Sequence, residues 1–155
     1  MASDDTGPPA PGPVGLPPWR DGFVLPARAE SAGEARRRLR GLLGRRGVGE
    51  GIRDTAVLVV SELFTNVVVH TDSESVACEV REERAAGGGE SSVHIEVCGH
   101  APGRPDPCAR LPEEEHGRGL LLVEAVSTAW GIRDGGPGRG WSVWARLPLA
   151  VEGGR

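Results

Sequence analysis

Asp54-Thr-Ala-Val-Leu-Val-Val60-Ser-Glu62-Leu-Phe-Thr-Asn66-Val-Val-Val-His70 is the stretch on which the fold turns. Propensity alone reads it as strand, because Val57-Leu58-Val59-Val60 and Val67-Val68-Val69 are rich in β-branched residues. Length argues the other way. Residues 52–70 run without Gly or Pro, far beyond the roughly 5–6 residues of an ordinary strand. Asp54 would lie in the opening turn, where a carboxylate suits the positive end of a helix dipole. The expectation is a mostly buried helix over residues 51–70. In that helix Glu62, Asn66 and His70 stand at i, i+4 and i+8, which aligns a carboxylate, an amide and an imidazole on one face. The same spacing also describes the wet stripe of an ordinary amphipathic helix.

Working back from this helix, Ser31 with Glu34 three residues later has the form of a capping box, and Ala35, Leu39, Leu42 and Leu43 recur at helical spacing until Gly47. A helix over residues 31–46 is expected, preceded by a short edge strand in 19–27 around Phe23-Val24-Leu25. Residues 1–18 hold Pro8, Pro9, Pro11, Pro13, Pro17 and Pro18 and are expected to form a disordered tail. Working forward, Val76, Cys78 and Val80 alternate in 75–83, and Val93, Ile95 and Val97 alternate in 92–98. These are two strands joined by a hairpin loop at 85–90. Residues 99–119 are crowded with Pro, Gly and charge and read as a long loop of the kind that serves as a lid. A third helix at 120–127 follows, and 129–132 with 141–147 bracket a turn as a terminal hairpin. The resulting class is α+β, a two-layer α/β sandwich with a mainly antiparallel sheet and about three helices on one face. One domain over residues 19–150 is expected, with residues 151–155 as a second tail.

Composition narrows the function by exclusion. All 18 basic residues are Arg, and the net charge is −4, so no general attraction to nucleic acid is expected. Cys78, Cys98 and Cys108 are odd in number and form no CxxC pair, which points away from a disulfide framework or a zinc site and toward a reduced, cytoplasmic setting. No window resembles a membrane span and the N-terminus lacks the pattern of a signal peptide. Proteins and nucleotides remain as the natural partners.

Two motifs carry chemistry. On the long helix, Asn66 offers an amide oxygen suited to Mg2+, which prefers oxygen ligands and is commonly shared with substrate phosphates. Glu62, one turn earlier, is placed to accept a proton from a nucleophile attacking a γ-phosphate. Phosphoryl transfer asks the protein mainly for positioning and charge stabilisation, so these two groups form a minimal set. The second motif, Gly117-Arg118-Gly119-Leu120, heads the third helix. Free amides at a helix N-terminus and an Arg beside them make an anion site, although a plain loop-to-helix junction has the same form.

Ser61 to His70, then Gly117 to Val126, Trp130-Gly131 and Gly138-Arg-Gly-Trp-Ser-Val-Trp144 together strongly resemble the histidine-kinase-like ATPase (Bergerat, or GHKL) family, over about residues 23–148. Within it, the chain is most similar to the anti-sigma-factor serine/threonine kinases of actinobacteria. The resemblance implies Glu62 as general base, Asn66 as Mg2+ ligand, and Gly117, Arg118, Gly119 and Leu120 as a glycine box over the phosphates of ATP. It implies no firm catalytic role for His70, whose place at a helix C-terminus has a sufficient structural explanation. The first glycine box of such proteins carries an Asp that accepts a hydrogen bond from the adenine amino group. Here the run is Val97-Cys-Gly99-His100-Ala-Pro102, so Gly99 or His100 stands where the acid is expected. His100 or Asp106 is a substitute acceptor on this reading, and residues 104–116 are the lid.

The resemblance further implies a cytoplasmic regulator of transcription that binds a sigma factor and a STAS-domain antagonist, with phosphorylation of that antagonist on Ser or Thr at the expense of Mg-ATP. Homodimers are common in the branch it resembles. Loss of the adenine-reading Asp keeps a second reading open, a non-catalytic binding module that works without ATP.

Overall fold

The computed structural model describes residues 17–88, 90–100, 118–134 and 141–149. In chain order the elements are β1 (Arg20–Pro26), α1 (Ser31–Arg45), α2 (Glu50–His70), β2 (Ser75–Arg84), β3 (Ser91–His100), α3 (Arg118–Val126), β4 (Ala129–Asp134) and β5 (Trp141–Pro148). Most of the expected first tail (residues 1–16), the lid at 104–116 and the second tail at 151–155 lie outside the described residues.

α2 is a helix despite its valines because burial outweighs propensity. Over its 21 residues, Ala56, Val57, Val59, Val60, Leu63, Phe64 and Val67 are all buried, and such packing is the main source of helix stability in a folded domain. α1 lies beside it and buries Ala35, Leu39, Leu42 and Leu43. α1 ends in a Schellman motif, with the Gly47 N–H donating to Gly44 O (3.1 Å) and the Val48 N–H to Leu43 O (3.0 Å). Gly47 takes the left-handed conformation this closure requires, at φ 80°.

The start of α1 corrects one expectation. Ser31 is the first helical residue rather than the cap, and no side chain caps the helix. The preceding turn removes the need, because the Ser31 and Ala32 amides already donate to Arg28 O and Ala29 O. Glu34 is thereby free to accept hydrogen bonds from Arg37 and Arg38 instead. Likewise α2 opens at Glu50, so Asp54 lies beyond the first turn and pairs with Arg40 of α1.

The five strands form one sheet in the order β1-β2-β3-β5-β4, and every pairing is antiparallel. Side chains alternate across it. Val76, Cys78, Val80, Val93, Ile95, Val97, Val143, Ala145 and Leu147 join the helices in one core, while the intervening residues form the opposite face. The expected two-layer α+β sandwich with three helices is what the chain adopts. β3 runs further than its sequence pattern indicates. The ladder continues through Val76↔Gly99 and Ser75↔His100, so Gly99 and His100 belong to a strand and not to the long loop expected there.

The helix-free face is polar and tightly networked. His94 is wholly buried there, stacked on Trp144 with ring centroids 5.3 Å apart. Trp144 packs close against Gly131, where an added Cβ would stand 3.0 Å from its ring. Glu96 accepts from His94 Nε2 (2.9 Å) and Ser142 Oγ (2.5 Å), and Arg133 Nε stands 3.3 Å away. The His94 hydrogen bond, seconded by Ser142 and the Arg133 charge, outweighs partial burial and holds the Glu96 carboxyl down at about 2. An ionised carboxylate only accepts, so Nε2 of His94 carries the proton of this bond.

Candidate functional site

α2 presents the first motif. Glu62 is half-buried and its carboxylate forms no hydrogen bond or ion pair among the described residues. Asn66 is the one polar residue in the buried set of α2, at 9% exposure. Its Oδ1 is buried without a hydrogen-bond partner among the described residues. Leaving such an oxygen unpaired costs about 1–3 kcal/mol, so an amide here is a costly choice for packing alone. An amide oxygen with no bond to surrender fits the single protein ligand that Mg2+ takes when the remaining ligands are phosphate and water. No cluster of three or more His, Cys, Asp or Glu able to hold a metal occurs among the described residues. His70 closes the row as the last residue of α2, a basic side chain at the negative end of the helix.

α3 packs against α2 and supplies the second motif. Arg118 is its first residue and Gly119 lies in its opening turn, so the expected helix N-terminus is present. Leu120 is core, at 2% exposure, which leaves only its backbone amide for a ligand. Gly117 and Asp106 lie outside the described residues.

The end of β3 supplies the third part. Gly99 is buried, and His100 is exposed with its carbonyl accepting from the Glu74 amide at 2.9 Å. A Cβ built on Gly99 would land on Ser73 Oγ and stand 3.0 Å from Thr71 Oγ1. Two hydroxyls from the α2–β2 connection therefore occupy the space in which a side chain at position 99 would begin. Sequence reasoning missed both. The only trace is a polar triplet, Thr71-Asp72-Ser73, directly after the helix. Its meeting with Gly99 comes from the β2–β3 ladder, which no local pattern reveals.

Among the described residues, a buried amide oxygen and a half-buried carboxylate on α2, the opening turn of α3 packed against that helix, and the end of β3 at the tip of α2 make up the candidate site within a two-layer α+β sandwich. The chain belongs to the family of histidine kinase-like ATPase domains, whose match spans residues 25–147. That span runs from the end of β1 through β5 and includes all three elements of the site. Comparison with curated proteins gave no match. Among the described residues no helix is long and apolar enough to cross a membrane.

Proposed function

We propose that this chain is a cytoplasmic, anti-sigma-type regulator of transcription that binds a sigma factor and a STAS-domain antagonist and phosphorylates that antagonist on Ser or Thr. Membership of the histidine kinase-like ATPase family supports a purine nucleotide and Mg2+ as ligands, and the sequence resemblance to anti-sigma kinases suggests the partners. The observation that carries the reading is Asn66, whose buried oxygen lacks a partner among the described residues, one turn from the Glu62 carboxylate, which likewise has none among them.

In this reading Asn66 Oδ1 would be the protein ligand to Mg2+, which would supply charge neutralisation at the nucleotide phosphates. Glu62 accepts the proton of the incoming Ser or Thr hydroxyl. The hydroxyl oxygen forms its bond to the γ-phosphorus as the bond to the bridging oxygen breaks, and ADP leaves with that electron pair. The opening amides of α3 and the Arg118 guanidinium hold the phosphates. The helix-free sheet face is assigned no part, because Glu96 there is already engaged by His94, Ser142 and Arg133.

One observation favours a second reading. Gly99 provides no carboxylate for the base, which suits a binding module of the same fold that has given up ATP. A single experiment separates the two. Purified protein is incubated with Mg-ATP and its STAS-domain antagonist, and phosphate transfer is followed in the wild type and in Glu62→Ala. Transfer that falls by about a hundredfold or more in the variant, in line with loss of a general base, is expected of the kinase. No transfer and no Mg-dependent ATP binding would leave the non-catalytic module.

A further inference from the structure

Three oxygen atoms at the end of α2 form a chain whose hydrogens can be counted. Thr71 Oγ1 donates to Val67 O at 2.7 Å and lies 2.6 Å from Ser73 Oγ. A hydroxyl carries one hydrogen and two lone pairs. With the Thr71 hydrogen committed to Val67 O, the bond between the hydroxyls must be donated by Ser73. Ser73 Oγ is then left with lone pairs only, and it makes no other hydrogen bond among the described residues. The relay thus produces a neutral, acceptor-only oxygen. It also sits where a side chain on Gly99 would begin, about as far from that Cβ position as a carboxylate oxygen stands from its own Cβ.

We infer that Ser73, oriented by Thr71, reads the exocyclic amine of adenine in place of the carboxylate that Gly99 does not supply. The inference rests on the nucleotide-binding reading above and adds a residue that determines base specificity. An acceptor-only oxygen at this point pairs with an amino group and repels the carbonyl that guanine carries at the same ring position.

The preference differs from that of a carboxylate in one respect. A carboxylate cannot donate at neutral pH, whereas the relay can reverse. If Thr71 turns its hydrogen from Val67 O to Ser73 Oγ, the Ser73 hydrogen is released toward the ligand and can meet a carbonyl. The cost of reversal is one neutral hydrogen bond, because Val67 O keeps the Thr71 amide at 3.0 Å. One such bond corresponds to about two- to twelvefold in affinity. The site therefore prefers ATP over GTP by only about that factor.

The test is calorimetric titration of the full chain, with Mg2+, using ATP, GTP, purine riboside triphosphate (which lacks the 6-amino group) and inorganic tripolyphosphate. The proteins are wild type, Ser73→Ala and Thr71→Val, each checked for native circular dichroism. Wild type is expected to bind ATP about two- to twelvefold more tightly than purine riboside triphosphate. Ser73→Ala should bind these two equally, with tripolyphosphate unchanged. In Thr71→Val the Ser73 hydrogen loses its fixed direction, so the preference for ATP over GTP should collapse. Equal affinity of wild type for ATP and the amine-free analogue, or an undiminished preference in Ser73→Ala, overturns the Ser73 assignment and leaves the nucleotide site standing. Absence of binding by every triphosphate overturns the nucleotide site itself.

Discussion

Asn66→Leu separates what this residue does for folding from what it does for a ligand. Leu keeps the γ-branched shape of Asn and replaces the buried, unpaired Oδ1 with a methyl group. An unsatisfied oxygen costs about 1–3 kcal/mol, and the larger Leu side chain returns part of any gain as packing strain. The net expectation without ligand is a stabilisation of about 1 kcal/mol, or roughly 3–5 °C in Tm for a domain of this size. With Mg-ATP at about 100 times its Kd the wild type should gain about 2.7 kcal/mol by mass action, and the variant should gain nothing measurable. The two proteins therefore exchange rank. The Asn66→Leu variant melts higher in EDTA and lower in saturating Mg-ATP, as read by thermal unfolding followed by circular dichroism. A variant that is less stable than wild type in EDTA yet keeps its full Mg-ATP shift would refute the assignment, since the amide would then be serving the fold.

Two further outcomes follow from the sheet. A Cβ on Gly22 would stand 2.6 Å from the backbone carbonyl oxygen of Cys78 on the paired strand, and backbone cannot step aside as a side chain can; Gly22→Ala should cost about 1–3 kcal/mol in urea unfolding, and a loss below about 0.5 kcal/mol would show that β1 is free to lift from β2. The Glu96 carboxyl is held at about 2 against a reference of 4.5, chiefly by the His94 hydrogen bond; because the folded value is depressed, its contribution is complete above pH 4.5 and is lost as pH falls toward 2. Glu96→Gln should flatten stability between those limits, where the wild type loses up to about 3 kcal/mol from this group, and parallel acid-unfolding curves for the two proteins would contradict the network.

The fold was legible because its deciding element is long. No strand accommodates residues 52–70, so length overrode the valine runs, and the alternation at Val76, Cys78, Val80 and at Val93, Ile95, Val97 fixed the core side of two strands. What escaped was set by partners remote in sequence. β3 extends to His100 only because Ser75 and Val76 pair with it. Ser31 is not a cap because carbonyls at Arg28 and Ala29 reached its first amides beforehand. His94 alternates with the core residues Val93 and Ile95 and so lies on the opposite face, yet it is wholly buried because Trp144 stacks over it. In the site, Glu62 and Asn66 were legible from spacing, whereas Ser73 and Thr71 emerge only when the strand end at Gly99 is folded against the α2–β2 connection.

Glu62 and Glu96 make the strongest comparison within the molecule. Both are partly buried carboxylates, one on each side of the sandwich. Glu96 is saturated by His94, Ser142 and Arg133, whereas Glu62 has no hydrogen-bond or ion-pair partner among the described residues. An open carboxylate alone is weak support for a site, because solvent can serve a half-buried oxygen at little cost. Asn66 is different, since its oxygen is buried and the surrounding positions of α2 are filled by Val59, Leu63, Phe64 and Val67. Among the described residues that oxygen has no hydrogen-bond partner, which makes an amide a costly choice for packing alone. Asn66 lies one helical turn from the open carboxylate of Glu62 on a helix that also packs against α3, and on the function proposed above these elements supply the metal ligand, the base and the phosphate-facing amides of phosphoryl transfer.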